Sequence, residues 1–217
     1  MGRRSDHTRS ELEALFVDEG RRQLAETGLG RFSARDVAKR VGYSIGTIYN
    51  VFGSYDGLIL AINARTLTLW AAHLRGKLAD SGEDRIATLV RGYFEFASDH
   101  PKTWIAIYEH HMADGGPAPE WYQDVAADLM SVVAAEIARV LPPSEPAAVL
   151  SLARSLVATV HGHCIFALYK TFNMLGETAP VEAALARVRE AIAAAEGREE
   201  RGEQRPTSML DLTSRLE

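Results

Sequence analysis

The sequence predicts an all-α protein with a small N-terminal three-helix unit and a larger C-terminal helical body. Apolar residues recur at helical spacing through almost the whole chain. The sequence contains no convincing run of alternating β-branched residues bounded by hairpin turns. With 217 residues, of which 47% are hydrophobic, the chain is long enough to bury a core in one or two domains.

The N-terminal unit, residues 1–54, is predicted from the residues that begin and end its helices. Its three helices are expected at residues 8–27, 34–41 and 45–52. Ser33 and Ser44 are suitable N-caps for the second and third helices, and Gly42 and Gly53 are suitable residues to end them. Two helices joined by a short turn containing glycine form a helix-turn-helix, whose second helix enters the DNA major groove.

The body, residues 55–196, is predicted to contain six helices between clear breaks. They are expected at residues 55–78, 83–100, 101–108, 120–141, 146–172 and 181–196. Glycine and proline separate them at Ser81-Gly82, in the loop at 113–119 and at Pro142-Pro143. Residues 197–217 are charged and poor in aromatics, so we expect a mostly disordered tail.

Charge and cysteine content narrow the class of protein. The net charge is −5, but residues 1–52 carry nine Lys/Arg against seven Asp/Glu, so a polyanion should meet the N-terminal unit. Cys164 is the only cysteine, which excludes an intramolecular disulfide and a four-cysteine zinc site. No segment approaches about 18 uninterrupted apolar residues. We therefore expect a cytoplasmic protein without a membrane span, and we predict no cofactor.

Residues 32–58, FSARDVAKRVGYSIGTIYNVFGSYDGL, resemble the TetR family of bacterial transcriptional regulators. The match comprises a capped helix, a VG-S turn, GTIY in the recognition helix and a glycine turn before an acidic residue. His161-Gly162 is also similar to a Trp-His-Gly signature in one branch of the family, with Val160 at the tryptophan position. The resemblance implies a homodimer that binds an inverted repeat of double-stranded DNA and a small-molecule effector.

The residue types around the third helix suit DNA contact. Small residues at its start let the backbone approach base edges, and Ile45 can contact a thymine methyl. Thr47 can reach a base or a phosphate, and the resemblance implies a phosphate contact for Tyr49. Family members often carry lysine at the position of Tyr55. The predicted DNA-binding residues are Ser33, Arg35, Tyr43, Ser44, Ile45, Gly46, Thr47, Tyr49, Asn50 and Tyr55.

Aromatic and histidine side chains in the body suggest an apolar pocket with a few polar groups. For any single one of these aromatics, a place in the core is the favoured interpretation. The predicted ligand-binding residues are Trp70, Phe94, Trp104, Tyr108, His161, His163 and Phe166. No metal site is predicted, because His110 and His111 are adjacent and His161 and His163 point to different sides of a helix.

The helices at about 146–172 and 181–196 are expected to form the dimer interface. The expected interface stripe comprises Leu150, Ala153, Val157, Val160 and Cys164, with Leu185, Val188 and Ile192; an intrachain core is the alternative reading. The sequence as a whole predicts a ligand-responsive repressor without catalytic residues. Two other classes of protein stay open: an all-α small-molecule carrier whose N-terminal unit does not bind DNA, and an enzyme whose active site lies in the body.

Overall fold

The computed structural model describes residues 7–82, 84–112, 115–141 and 145–200, with side chains as far as residue 197. Within these ranges the chain forms ten α-helices, one short 3-10 turn and no strand, which confirms the all-α prediction. The helices are α1 (Arg9–Thr27), α2 (Ala34–Val41), α3 (Ile45–Phe52), α4 (Tyr55–Ala79), α5 (Arg85–Asp99), α6 (Pro101–Glu109), α7 (Glu120–Val140), α8 (Pro146–Leu168), α9 (Thr171–Leu175) and α10 (Pro180–Glu200).

Local capping fixes the three N-terminal helices where the sequence predicts them. The Ser33 hydroxyl accepts a hydrogen bond from the Asp36 backbone N–H at 3.2 Å, at the start of α2. Gly42 ends α2 with φ of 90°, a conformation that a side chain would strain. Ser44 then begins α3 by accepting from the Thr47 N–H at 3.3 Å.

The core of the N-terminal unit extends beyond its own three helices. Its fully buried side chains from α1, α2 and α3 include Phe16, Val37 and Ile48. The first turns of α4 and one residue of α6 complete the same cluster, with Leu58, Ile59, Ile62 and Ala106. The N-terminal unit and the body therefore share α4 and contact each other through α6.

The body packs α4, α5, α6, α7, α8 and α10 around a second apolar cluster. Its most deeply buried large side chains are Trp70, Trp104 and Ile137. On one side, Arg85 donates two hydrogen bonds to the Glu136 carboxylate, at 2.5 and 2.8 Å, and so ties α5 to α7. Glu136 is 6% exposed, and this pairing satisfies a charge that would otherwise be costly to bury.

Two predicted helix ends differ from the structure. The helix expected to continue to residue 172 ends at Leu168, because Lys170 adopts a left-handed conformation with φ of 59°; the separate α9 follows. The last helix was expected to end at residue 196, but α10 continues to Glu200. Some predictions lie outside the described residues. They concern residues 201–217 of the tail, the helix start at 83, and parts of the breaks at 113–119 and 142–143.

The apolar stripe expected at the dimer interface lies mostly inside the protomer. Ala153, Val160 and Cys164 of α8 are at most 5% exposed, as are Leu185 and Val188 of α10. They pack into the body core, so the prediction that this stripe faces a second subunit is wrong. Periodicity identifies an apolar stripe but cannot tell which neighbour covers it.

The opposite face of α8 is exposed and carries mostly small residues, with one charged and one aromatic side chain: Ala147, Ala148, Arg154, Ser155, Ala158, Gly162 and Phe166. By length and composition α8 could also span a membrane, since its most apolar 18 residues have a mean hydropathy of 1.3. Helices α3 and α4 pass the same test of length and hydropathy when they are taken together, although the chain bends by 71° between them. Only 28% of the α8 window is buried inside the protomer. A single helix of this kind is weak evidence for a membrane span, and an outward apolar face is equally typical of an interface between subunits.

Candidate nucleic-acid interface and ligand pocket

The third helix is anchored by one face and exposed on the other. Ile48 is fully buried, and the Phe52 ring lies 6.2 Å from the Phe16 ring of α1 in an edge contact. Tyr49 is 46% exposed, and Asn50 beside it is also exposed. The packing therefore holds α3 rigidly while leaving one of its faces open to a partner.

The leading end of α3 is exposed and internally ordered. Ser44 and Gly46 are exposed, whereas Ile45 is half-buried against the core of the N-terminal unit. The Thr47 and Ser44 hydroxyls lie 3.2 Å apart, so the capping contact also orients the Thr47 side chain. A hydroxyl can accept and donate at once, so both groups can still reach a partner.

The start of α2 and the start of α4 lie close together beside this helix. The Phe32 ring, just before Ser33, lies 6.1 Å from the ring of Tyr55, which is 37% exposed. The Ser33 N–H donates to the buried Gln23 side chain of α1 at 2.9 Å, which fixes the start of α2, and Arg35 in its first turn is exposed. In each helix start the N-cap serine accepts one first-turn N–H: Ser33 from Asp36 at 3.2 Å and Ser54 from Gly57 at 2.9 Å.

Two further charged or aromatic residues of the N-terminal unit have internal partners. The Tyr43 hydroxyl hydrogen bonds to the His7 ring at 2.8 Å, and its ring packs on Phe16 at 6.0 Å. Arg40 forms ion pairs with Glu19 and Glu26 of α1, at 3.2 and 3.1 Å. Arg40 therefore joins α2 to α1 instead of extending the exposed basic surface.

A compact aromatic cluster lies in the body where α4, α5, α6 and α8 meet. The Tyr93 hydroxyl lies 2.9 Å from His161 Nδ1 and 3.4 Å from the Tyr108 hydroxyl. The His161 ring centroid is 4.1 Å from that of Tyr108 and 5.1 Å from that of Trp104, and Trp70 contacts Tyr93 at 4.7 Å. Burial lowers the pKa of His161 and raises those of both tyrosines, so the cluster is neutral near pH 7.

Four of the seven predicted ligand-binding residues belong to this cluster: Trp70, Trp104, Tyr108 and His161. Phe94 is buried in the core next to it. His163 and Phe166 lie elsewhere on α8, where both rings contact Phe172, at 5.8 and 5.5 Å. Sequence reasoning did not select Tyr93, although its place on the inner stripe of α5 was a usable signal. Among the residues that the structure describes, no three His, Cys, Asp or Glu side chains lie together.

An apolar cavity of about 40 Å³ adjoins the cluster through Tyr93. Its other walls are Leu74, Ile86, Leu89, Val90, Val133, Ile137, Leu156, Val157, Val160 and Val188. A water needs roughly 10–15 Å³ of such space, whereas ligand pockets usually offer about 300 Å³ or more. An effector here would have to move the aromatic or aliphatic side chains that line the cavity.

Comparisons with known proteins agree with this architecture. Residues 16–62 match the family described as "Bacterial regulatory proteins, tetR family", and residues 86–192 match "Tetracyclin repressor-like, C-terminal domain". The transcriptional regulator BetI of Burkholderia thailandensis is 32% identical over 138 residues, which cover 60% of this chain and 70% of BetI. The multidrug binding protein EbrR, solved with imidazole, superposes with a TM-score of 0.60 at 22% identity, covering 86% of this chain and 96% of EbrR.

Proposed function

Because this chain belongs to the TetR family of transcriptional regulators, we propose that it is a cytoplasmic, homodimeric repressor released from an inverted-repeat DNA site by an effector. Members of the family bind DNA and small-molecule effectors, and they are regulators, not enzymes. The observation that carries the proposal is the exposed face of α3 on a rigidly packed support.

In this proposal the start of α3 enters the major groove. Ser44 and Gly46 allow close approach to base edges, while Thr47 and Ile45 supply sequence-dependent contacts. Tyr49 and Asn50 bind phosphate oxygens on one side of the groove. The helix starts at Ser33 and Tyr55 bind the DNA backbone on the other side. Tyr43 contributes mainly by packing, and Arg35 adds an exposed positive charge.

Two subunits would meet through the outward faces of α8 and α10. Small residues such as Ala158 and Gly162 on that face permit the close helix approach that a four-helix interface requires. A Cβ placed on Gly162 would meet no other atom within 4 Å inside the protomer, so this face is open to a second copy. The dimer would set the separation between the two copies of α3.

Helix α6 connects the aromatic cluster to the N-terminal unit. Trp104 and Tyr108 of α6 lie in the cluster, whereas Ala106 between them is buried in the core of the N-terminal unit. The Ala106 carbonyl accepts a hydrogen bond from the buried Asn63 side chain of α4 at 3.1 Å, and the Lys102 ammonium binds a backbone carbonyl at the end of α1. An apolar or aromatic effector that displaced α6 would therefore shift α1 and α4 together.

The test begins with selection of bound fragments from random duplex DNA by the full chain. Binding of the selected duplex is then measured by fluorescence anisotropy over a range of salt concentrations. A regulator should select a sequence with internal two-fold symmetry and lose affinity steeply with salt, with a log-log slope of about −0.9 per phosphate neutralised. Failure to enrich any sequence would instead favour a carrier whose N-terminal unit does not bind DNA.

A further inference from the structure

The chain around the start of α1 contacts the N-terminal unit at both ends of α3. Nη2 of the Arg9 guanidinium donates to the Val51 carbonyl, in the last turn of α3, at 3.0 Å. The His7 ring hydrogen bonds at 2.8 Å to the hydroxyl of Tyr43, which lies two residues before the start of α3. Residues 7–9 contain none of the predicted DNA-binding residues, yet they contact the chain on either side of the helix that carries most of them.

Side-chain packing fixes the middle and the inner side of α3, and Arg9 adds a fixed point at its end. Among the eight residues of α3, all of which the structure describes, only Ile48 is buried, and Phe52 packs edge-on against Phe16. The last four carbonyls of a helix have no partner inside that helix, and the Val51 carbonyl is one of them. Arg9 satisfies this carbonyl and places a positive charge at the negative end of the helix dipole.

Arg9 acts from a well-ordered base, because a complete capping box forms the start of α1. The Thr8 N–H donates to the Glu11 carboxylate at 2.7 Å, and the Glu11 N–H donates to the Thr8 hydroxyl at 3.3 Å. Two turns further along α1, Phe16 is fully buried in the core of the N-terminal unit. The end of α3 therefore cannot move away from α1 without breaking the hydrogen bond from Arg9.

The carbonyl that Arg9 binds lies next to the proposed phosphate contacts. Val51 directly follows Asn50 and lies two residues after Tyr49. Hydrogen bonds weaken outside donor–acceptor distances of about 2.7–3.2 Å and when they are misaligned, so a small tilt of α3 would affect all its DNA contacts together. Arg9 itself lies at the end of α3 opposite the leading end at Ile45, about 12 Å away at 1.5 Å per residue.

We propose that Arg9 is a positioning residue for α3: its hydrogen bond to the Val51 carbonyl keeps the helix in the direction that fits the major groove, without a contact between Arg9 and DNA. This inference rests on the proposed function and deepens it. Loss of the hydrogen bond lowers the fraction of molecules in which α3 has this direction. The apparent affinity for a specific site then falls by the same factor.

The first measurement needs no DNA and compares the full chain with Arg9→Met and Arg9→Lys by amide hydrogen exchange. Methionine keeps the apolar stem but cannot donate, whereas lysine keeps both the charge and an N–H donor. In Arg9→Met the last turn of α3 should exchange about threefold faster or more, because a helix end without this hydrogen bond opens more often. Exchange in α2 should not change, Arg9→Lys should restore most of the protection, and the Tm of both variants should stay within about 2 °C of the original value.

The second measurement is an anisotropy titration of the selected duplex and of an unrelated duplex over a range of salt concentrations. In Arg9→Met, a roughly threefold loss of the binding-competent fraction in each of two subunits should raise Kd for the selected duplex about tenfold. Binding to the unrelated duplex, which depends less on the direction of α3, should weaken less than about threefold, and the log-log salt slope should stay the same because no phosphate contact is lost. Arg9→Lys should bind the selected duplex within about threefold of the original chain.

Arg91→Met is the matched control, since it removes the same charge from an exposed arginine of α5 in the body, and neither measurement should change. The proposal is overturned if Arg9→Met leaves exchange in α3 unchanged, or if Arg91→Met weakens DNA binding as much as Arg9→Met. It is also overturned if Arg9→Met weakens binding to both duplexes equally while the salt slope falls by about 0.9 per subunit, which would make Arg9 a phosphate contact. Failure of the original chain to select any duplex would overturn the proposed function together with this role, whereas unchanged exchange in α3 would overturn the role of Arg9 alone.

Discussion

Replacing Tyr49 by Phe tests the proposed DNA contact of α3 most directly, because it removes a single oxygen atom. The side chain is 46% exposed, and the buried neighbour Ile48 carries the packing of this turn. A hydrogen bond to a charged group contributes about 1.5–3 kcal/mol. Because Tyr49 is exposed, we expect about 1–1.5 kcal/mol for the hydrogen bond from its hydroxyl to a phosphate. Two copies in a dimer lose about 2–3 kcal/mol, so Kd for the selected duplex should rise roughly 30- to 150-fold.

The measurement is an anisotropy titration with the selected duplex and with an unrelated duplex at lower salt. Both affinities should fall by a similar factor, because a phosphate contact is independent of sequence. The Tm should stay within about 1 °C of the original value. Ser131→Ala is the control, since it also removes one hydroxyl oxygen, from an exposed residue of α7 that lies on neither the proposed DNA-binding surface nor the proposed dimer face. Unchanged affinity in Tyr49→Phe, or a lowered Tm, would show that the hydroxyl serves the fold instead.

Three further substitutions test packing, assembly and electrostatics. Gly57→Ala should lower stability by about 1–3 kcal/mol in thermal unfolding, because its Cβ would lie 2.2 Å from a backbone oxygen of α3; an unchanged Tm would contradict this close packing. Gly162→Arg should convert the dimer to monomer in sedimentation, whereas Gly76→Arg, at an equally open glycine of α4, should not. Glu136→Gln should cost about 1–3 kcal/mol at pH 7 in urea unfolding. The hydrogen bonds from Arg85 lower the pKa of Glu136 in the folded protein below 4.5. The stability that this pair contributes is therefore present above pH 4.5 and is lost as the pH falls through the pKa of the folded state. A difference in unfolding free energy between Glu136→Gln and the original chain that stayed constant down to pH 2 would refute this assignment.

The sequence predicted the N-terminal helices almost to the residue because each end has a local chemical cause. Ser33, Gly42 and Ser44 act through hydrogen bonds and backbone conformation within a few residues, so no knowledge of the rest of the chain is needed. The end of α8 has no such signal. Lys170 is neither glycine nor asparagine, and nothing in its neighbours predicts a positive φ.

The residue types predicted which side chains could form a site, but not where each side chain lies in the fold. The aromatic residues Trp70 and Trp104 were expected in a pocket or a core, and the structure places both in a cluster with Tyr93 and His161. Asn63 was not selected, although a polar residue on the apolar stripe of α4 indicates a specific buried hydrogen bond. Its significance depends on Ala106, which is 43 residues away in sequence.

The division into an N-terminal unit of residues 1–54 and a body of residues 55–196 stays a prediction, but the packing shows why it matters for regulation. Leu58 and Ile62 belong to the core of the N-terminal unit, whereas Trp70, two turns further along α4, belongs to the body core. A helix buried at both ends cannot tilt in one core without repacking the other, since cores tolerate little change in shape. We therefore expect a ligand that repacks the body around Trp70 to change the position of α4, and with it the orientation of α3.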